Sequence, residues 1–317
     1  MHGRYWLTAL PFMTLFVGCY AHTAPTLEDL RPRCVAATRT LELQIERILP
    51  LTSTTSGRFD PSGLAIRNGQ LYLVSDKDPS SIFAVTLQND RAEARPAIGF
   101  NANANPAQGL PSEDLEGISI DSAGNFLLAS ESNATVWRVA FDGSVLASTS
   151  VHDQAVAQGL LVQDNAGLEG ITALPSGDIL LAAERDPRGL IQLPSNLDAT
   201  NARIWRMPNS NCAAQGVRPN DFGDLTSVDD QVFALARNTH QVVRLAPGRG
   251  GWQEQEFWSY AQVENDPRYA YRDRTYGLAE GLALDREHVF IVLDNNDDAR
   301  ANDAQDHRPL LLIFRRP

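Results

Sequence analysis

The sequence predicts an all-β chain folded as a β-propeller. Three observations lead there: a motif that recurs five times at nearly constant spacing, a hairpin signal inside each copy, and no 11-residue window with a convincing helical period. The copies read SGLAIRNGQLYLVSDK from Ser62, EGISIDSAGNFLLASES from Glu116, EGITALPSGDILLAAER from Glu169, FGDLTSVDDQVFALARN from Phe222 and EGLALDREHVFIVLDNN from Glu280. Their shared glycines, Gly63, Gly117, Gly170, Gly223 and Gly281, are 54, 53, 53 and 58 residues apart.

Within each copy a short apolar strand meets a turn, such as Arg67-Asn68-Gly69 or Pro175-Ser176-Gly177, and a second, almost wholly apolar strand follows. The runs Phe126 to Ala129 and Ile179 to Ala183 suit strands covered on both faces. Third strands are expected at Ser81 to Leu87, Thr135 to Phe141, Arg203 to Met207 and Gln241 to Leu245. Four-stranded units repeated radially shield their sheet edges by closing on themselves, which gives five blades. A sixth would require a degenerate repeat within 252–276 or 185–220. The last copy ends one strand short, and the strand-like stretch Thr40 to Leu51 is placed to supply the missing strand and lock the ring.

The two ends of each hairpin emerge side by side, and both are loaded with acid. Start positions hold Ser62, Glu116, Glu169, Phe222 and Glu280; end positions hold Asp76, Glu131, Glu184, Arg237 and Asp294. Seven carboxylates and one arginine should therefore converge at one mouth of a central channel, with Asp114, Asn133, Asp224, Asn295 and Asn296 able to join them. Crowded carboxylates raise one another's pKa and call for a compensating cation. Oxygen donors in this number favour Ca²⁺ over Zn²⁺, and no histidine cluster is present. The competing reading is that these acids cap strand ends and bond backbone amides.

A net charge of −12 with a pI near 4.9 excludes the basic clusters that nucleic-acid binding needs. Hydrophobic content of 43% with 21% charged residues is that of a folded globular chain. Residues 1–18 have the parts of a secretory signal: Arg4, an apolar stretch from Tyr5 to Val17, and no acid before Glu28. Gly18-Cys19 resembles a lipobox, although Phe16 stands where leucine is usual. Lipidation of Cys19, a tether over 19–39 and a propeller over 40–317 are expected, with ordinary cleavage a few residues later as the alternative. The chain would then be exported and lipid-anchored in a bacterial cell envelope, on the periplasmic side or at the outer membrane, touching the membrane only through that anchor. Setting Cys19 aside leaves Cys34 and Cys212, which an oxidising compartment would let pair; two unpaired thiols are the alternative.

Asp114-Leu115-Glu116-Gly117 with Ser130-Glu131, Gly167-Leu168-Glu169-Gly170 with Glu184, Glu280-Gly281 with Asp294-Asn295-Asn296, and the closing Leu310 to Phe314 run resemble the phytase-like propeller family, described by an esterase-like activity of phytase. The resemblance covers roughly residues 55 to 317 and implies an exported propeller, hydrolysis of phosphate esters or other esters, and calcium dependence. The fourth copy departs from it, since Phe222 and Arg237 replace acids.

On the hydrolase reading Asp76, Glu116, Glu131, Glu169, Glu184, Glu280 and Asp294 are metal-ligand candidates, and one of Glu116, Glu131, Glu169 or Glu184 is the general base. Arg237, Lys77 and Arg185 would take the charge of a small anionic ester or phosphoester. No G-x-S-x-G, H-E-x-x-H or phosphate-cradling loop is present, so the class rests on resemblance. The alternatives are a non-catalytic, calcium-stabilised binding or scaffolding lipoprotein and a lactonase similar to gluconolactonase propellers; a monomer is expected. The aromatic and arginine-rich stretch Trp252 to Tyr276 reads either as a ligand-contacting loop or, preferably, as a packed connection.

Overall fold

Each repeat folds on itself because its turn matches the strand twist. Asn68 and Gly69 carry φ of 52° and 78°, and Asp229 and Asp230 carry 49° and 62°, so two-residue turns with left-handed backbone close the first and fourth hairpins. The computed structural model describes residues 40–101, 109–111, 114–163, 166–207, 220–273 and 277–317. The signal and tether segments, Cys19, Cys34 and Cys212 lie outside the described residues, and so do the lipidation and disulfide expectations.

Two strands precede the repeats, β1 (Thr40–Glu42) and β2 (Gln44–Ser53). The first repeat supplies β3 (Pro61–Arg67), β4 (Gln70–Ser75), β5 (Ser81–Leu87) and β6 (Ala92–Gly99). The second supplies β7 (Leu115–Ile120), β8 (Phe126–Ser130), β9 (Thr135–Val139) and β10 (Val145–Ser150). From the third come β11 (Leu168–Ala173), β12 (Ile179–Ala183), β13 (Gly189–Leu193) and β14 (Arg203–Arg206). The fourth gives β15 (Asp224–Val228), β16 (Gln231–Ala236), β17 (Gln241–Gly248) and β18 (Gly251–Ser259), and the last β19 (Ala279–Leu284), β20 (His288–Leu293) and β21 (Leu310–Arg315). Among the described residues the α-helices are two short ones, His152–Ala157 and Ala261–Glu264.

Strands within a repeat pair antiparallel in chain order. The N-terminal segment ties the last sheet to its neighbours. Residues Gln44 to Pro50 of β2 pair antiparallel with β21, completing the last sheet as the sequence led us to expect. The same strand continues as Leu51 to Ser53, parallel to Ala92–Ala94 of β6, which joins the last sheet to the first. Leu43 breaks the stretch, buries completely, and lets β1 run parallel to β18 on the fourth sheet.

The first strands stand next to one another in sequence: β3 beside β7, β7 beside β11, β11 beside β15, β15 beside β19, and β19 back beside β3. The repeated glycine sits at these contacts. A Cβ on Gly117 would lie 2.6 Å from the Glu169 carbonyl oxygen, and one on Gly281 would lie 2.3 Å from that of Ser62. Only glycine lets the strands approach so closely. Apolar clusters fill the gaps between neighbouring sheets, with Phe83 and Phe290 in one and Phe222 and Phe233 in two others. Phe126–Ser130 and Ile179–Ala183 are buried throughout, as two-faced covering requires.

One expectation changes. Arg203–Arg206 is the fourth strand of its sheet, because Gly189–Leu193 takes the third place that the sequence reading had missed. The aromatic stretch is mostly core: Phe257 and Trp258 lie buried on β18, and Tyr260 and Tyr271 are buried beyond it. This is the packed arrangement preferred from the sequence, with Phe257 facing the third sheet and Trp258, Tyr260 and Tyr271 facing the last. Of the two segments considered for a hidden repeat, the described residues provide β13, β14 and β18, all strands of sheets already counted.

Candidate functional site

The acids reach the axis through a shared backbone irregularity. Pairing shifts by one residue between Leu115 and Gly117, between Leu168 and Ile171, and between Ala279 and Gly281, so Glu116, Glu169 and Glu280 sit in β-bulges. A bulge redirects the side chain it carries away from the regular in-out alternation. In the fourth repeat β15 begins only at Asp224, after the repeated glycine, and pairs with β16 in one register to Val228. Each end-position residue directly follows its strand, Glu131 after β8, Glu184 after β12 and Arg237 after β16.

Glu131, Glu169, Glu184, Arg185, Arg237 and Glu280 line one cavity of about 600 Å³, with Asn295, Asn296 and Asp273 on the further wall. Single carboxylate oxygens of Glu131, Glu169 and Glu184 lie within 4.8 Å of one another. The Glu184 side chain is 1% exposed and its Oε2 has no hydrogen-bond partner, while its Oε1 meets both Arg185 and Arg237. Glu131 Oε1 accepts from the Gly167 amide at 3.0 Å.

Arg237 is enclosed by acid. Its Nε donates to Asp221 Oδ2 at 2.7 Å, its other nitrogens meet Glu280 and Glu184, and Glu169 lies 3.9 Å away. The expected substrate-binding role of Arg237 therefore gives way to that of a counterion, because its donors already face carboxylates.

Burial drives the titration of this cluster. It raises the Glu169 carboxyl well above the ordinary 4.5, with Arg237 opposing and Glu116 and Glu280 adding to the rise. Glu116 is raised the same way by burial, then by Glu280 and Asp76, against a hydrogen bond from Ser62. Glu131 and Glu280 are raised more modestly, again chiefly by burial.

The remaining candidates divide. Asp76 and Asp294 belong to an adjacent group with Asp60, where burial and then Asp60 push Asp294 well above the ordinary range. Lys77 pairs with Asp76 and is not on the cavity wall, so its expected place at the substrate is not where the structure puts it. Asp224 is fully buried and takes a structural part: Oδ2 accepts from Leu282 at 2.7 Å and Leu64 at 3.3 Å, and Oδ1 from Leu225 at 2.7 Å, joining three first strands. Asp114 accepts from Ser132 Oγ at 2.8 Å and braces the turn that carries Glu131. Asn295 donates to the Asp298 and His307 carbonyls, and Asn133 faces a neighbouring cavity.

Sequence reasoning missed Asp221 and Asp60. Asp221 occupies the residue before Phe222; its carboxylate meets Arg237 while Phe222 turns into the core beneath Arg188, 4.5 Å from its ring. An acid just ahead of the glycine in each case, Asp60-Pro61 and Asn220-Asp221, was the available signal.

The donor set suits a hard divalent cation. Carboxylates outnumber the two guanidiniums, Arg185 and Arg237: Glu131, Glu169, Glu184 and Glu280 line the cavity with Asp273, Asp297 and Asp298, and Asp221 lies against Arg237. All-oxygen donors with one buried oxygen unpartnered match Ca²⁺ better than Zn²⁺.

The family model described as phytase-like, esterase-like activity of phytase, matches residues 56–305. The chain belongs to the phytase-like family. Solved structures similar to this phytase-like chain are propeller-type folds. The Myxococcus xanthus glutaminyl cyclase aligns at 9% identity over 88% of this chain and 100% of its own, with a TM-score of 0.51. Virginiamycin B lyase from Staphylococcus aureus aligns at 11% identity over 86% of this chain and 99% of its own, with a TM-score of 0.43. Aldose sugar dehydrogenase from Streptomyces coelicolor, in its PQQ-bound form, aligns at 11% over 85% and 98%, with a TM-score of 0.41. No curated protein gave a match. At such identities the likeness concerns the fold alone.

Proposed function

We propose that this phytase-like chain is a Ca²⁺-dependent hydrolase of small esters or phosphoesters, exported, monomeric and lipid-anchored through Cys19, with its sheets forming five blades. The observation that carries the reading is the convergence of Glu131, Glu169 and Glu184 on one cavity beside a buried, unpartnered Glu184 oxygen. Those three would hold the ion. Bound there, the ion would supply positive charge that orients substrate oxygens and lowers the pKa of a water.

Glu131, the least buried of the three, is the best-placed general base. In hydrolysis the water oxygen bonds to the acyl carbon or phosphorus, the base takes a water proton, and the ester C–O or P–O bond breaks as the leaving alcohol gains a proton. Arg185, on the cavity wall, takes the substrate's charge, while Arg237 stabilises the acids.

Activity on p-nitrophenyl phosphate, p-nitrophenyl acetate and a sugar lactone, with CaCl₂ or EDTA, tests this. Calcium-dependent turnover of one of them, lost in Glu131→Gln at an unchanged melting temperature in EDTA, is expected. Calcium-dependent melting with no turnover on any would leave a calcium-stabilised binding lipoprotein, a reading favoured by the burial of Arg237 among acids. Turnover of the lactone alone would make it a lactonase.

A further inference from the structure

A second cavity of about 450 Å³ begins where the acidic one ends. Glu131 lines both. Its carboxylate is held by the amide of Gly167, itself on the second cavity's wall, so the acid forms the partition between the two spaces. Beyond it the wall is mixed: Ala134, Val156, Leu161, Val162 and Ala166 stand beside Asn133, His152 and Gln163. Val156 and Val162 are 39% and 57% exposed, two of the few large apolar side chains left open to solvent among the described residues. Leu160 is fully buried, and Leu161 follows with φ of 53°, a left-handed conformation that is uncommon for leucine.

We infer that this cavity receives the apolar arm of the substrate, so that the site takes amphiphilic oxyesters whose reacting carbonyl or phosphoryl group lies at Glu131, Glu169 and Glu184. The inference rests on the hydrolase reading for the position of the reacting group. An acidic cavity alone would favour small polar esters. Exposed apolar side chains such as Val156 and Val162 beside the shared boundary residue reward substrates that span both cavities, since each buried methylene contributes favourably to binding. The arm could be the acyl chain or the alcohol, and the test separates them.

The full chain with CaCl₂ is assayed on p-nitrophenyl acetate, butyrate and hexanoate, and on p-nitrophenyl methyl and hexyl phosphate diesters. Binding of methyl-, butyl- and hexylphosphonate is followed by calorimetry, which needs no turnover. KM and Kd should fall about two- to fourfold per added methylene. The gain should disappear in Val156→Asp and Val162→Asp proteins that melt at the wild-type temperature. A gain in the carboxylate series alone assigns the cavity to the acyl chain; a gain in the hexyl diester alone assigns it to the alcohol. Turnover with no dependence on chain length in either series or in phosphonate binding overturns this inference and leaves the hydrolase standing. Chain-length-dependent phosphonate binding with no turnover of any ester overturns the hydrolase and keeps the apolar cavity as a ligand site.

Discussion

Arg237 and Asp221 face each other at 2.7 Å through Nε and Oδ2, with the carboxylate fully buried. This pair explains the fourth repeat's departure from its siblings. Where the second, third and fifth repeats present a bulged glutamate at the strand start, this one has Phe222 there, carries its acid one residue earlier, and uses an arginine at the strand end. The cation then reaches Glu184 and Glu280, contributed by the two flanking repeats.

Replacing Arg237 by Met should therefore destabilise the protein severely. It would leave Asp221, Glu184, Glu280 and Glu169 facing one another without their counterion, and breaking a buried ion pair in this way costs about 3–5 kcal/mol. Urea denaturation at pH 7.5 measures the loss, which should shrink at pH 5 as the acids protonate. A loss below about 1 kcal/mol at pH 7.5 would fall within the range of exposed pairs and contradict the counterion role.

Much of this was legible in the sequence. The five-fold motif, the two-face burial of Phe126–Ser130 and Ile179–Ala183, and the completion of the last sheet by the strand before the first repeat all follow from spacing and pattern. Glu131, Glu169, Glu184, Glu280 and Arg237, brought to one mouth by the hairpin argument, do line one cavity. What failed was finer. An acid one residue ahead of the repeated start position is invisible to a pattern aligned on the glycine, so Asp221 is missed and Arg237 is read without its partner. Lys77 follows an end-position acid, as Arg185 does, yet it pairs with Asp76 away from the cavity, and no local pattern distinguishes the two.

The close approach of first strands predicts an asymmetry among glycines. Gly117→Ala would push a methyl to 2.6 Å from a backbone oxygen that cannot move independently, and overpacking of this kind costs about 1–3 kcal/mol. It should also disturb Glu169, whose carbonyl receives the clash, and so weaken calcium binding. At Gly99 nothing lies within 4 Å of the point a methyl would occupy, so Gly99→Ala should change stability by no more than about 0.5 kcal/mol. Equal melting temperatures for the two variants would rule out tight packing of the first strands.

Asp224 should matter for stability without lining the cavity. Its carboxylate accepts from three backbone amides on β3, β15 and β19, and Asp224→Ala would leave those donors buried and unpaired. Each orphaned donor costs about 1–3 kcal/mol, so the variant should unfold at much lower urea than the wild type. Binding of Ca²⁺ to the fraction that remains folded should keep wild-type affinity. A variant as stable as the wild type would show that those amides find other partners.

Calcium and protons should compete for the same cluster, and the sign of the effect can be worked out. Burial raises Glu116 and Glu169 well above the 4.5 they have in an unfolded chain. A carboxyl raised on folding binds more protons in the native state, so the stability linked to it is fully present below the unfolded value and is lost as pH rises through the folded one. His240 acts in the same direction. Burial opposes its charged form, but a 2.9 Å contact with Glu264 outweighs that and raises the ring above 6.5, so its contribution also fades with rising pH. Glu264 in turn accepts from the Leu278 amide at 2.9 Å, two residues before Glu280, which links the histidine to the cavity wall. In EDTA the melting temperature should therefore fall steadily from pH 5 to pH 8.5. With excess Ca²⁺ the ion replaces the missing protons, and its stabilisation, about 2.7 kcal/mol at a hundredfold excess over Kd, should grow with pH because only ionised ligands bind it. Glu169→Gln should flatten the EDTA profile, Glu169→Gln and Glu184→Gln should each remove most of the calcium gain, and His240→Gln should flatten only the upper part of the EDTA profile. A calcium gain that is constant from pH 5 to pH 8.5, or a melting temperature in EDTA that rises over that range, would be incompatible with buried carboxylates as the ligands.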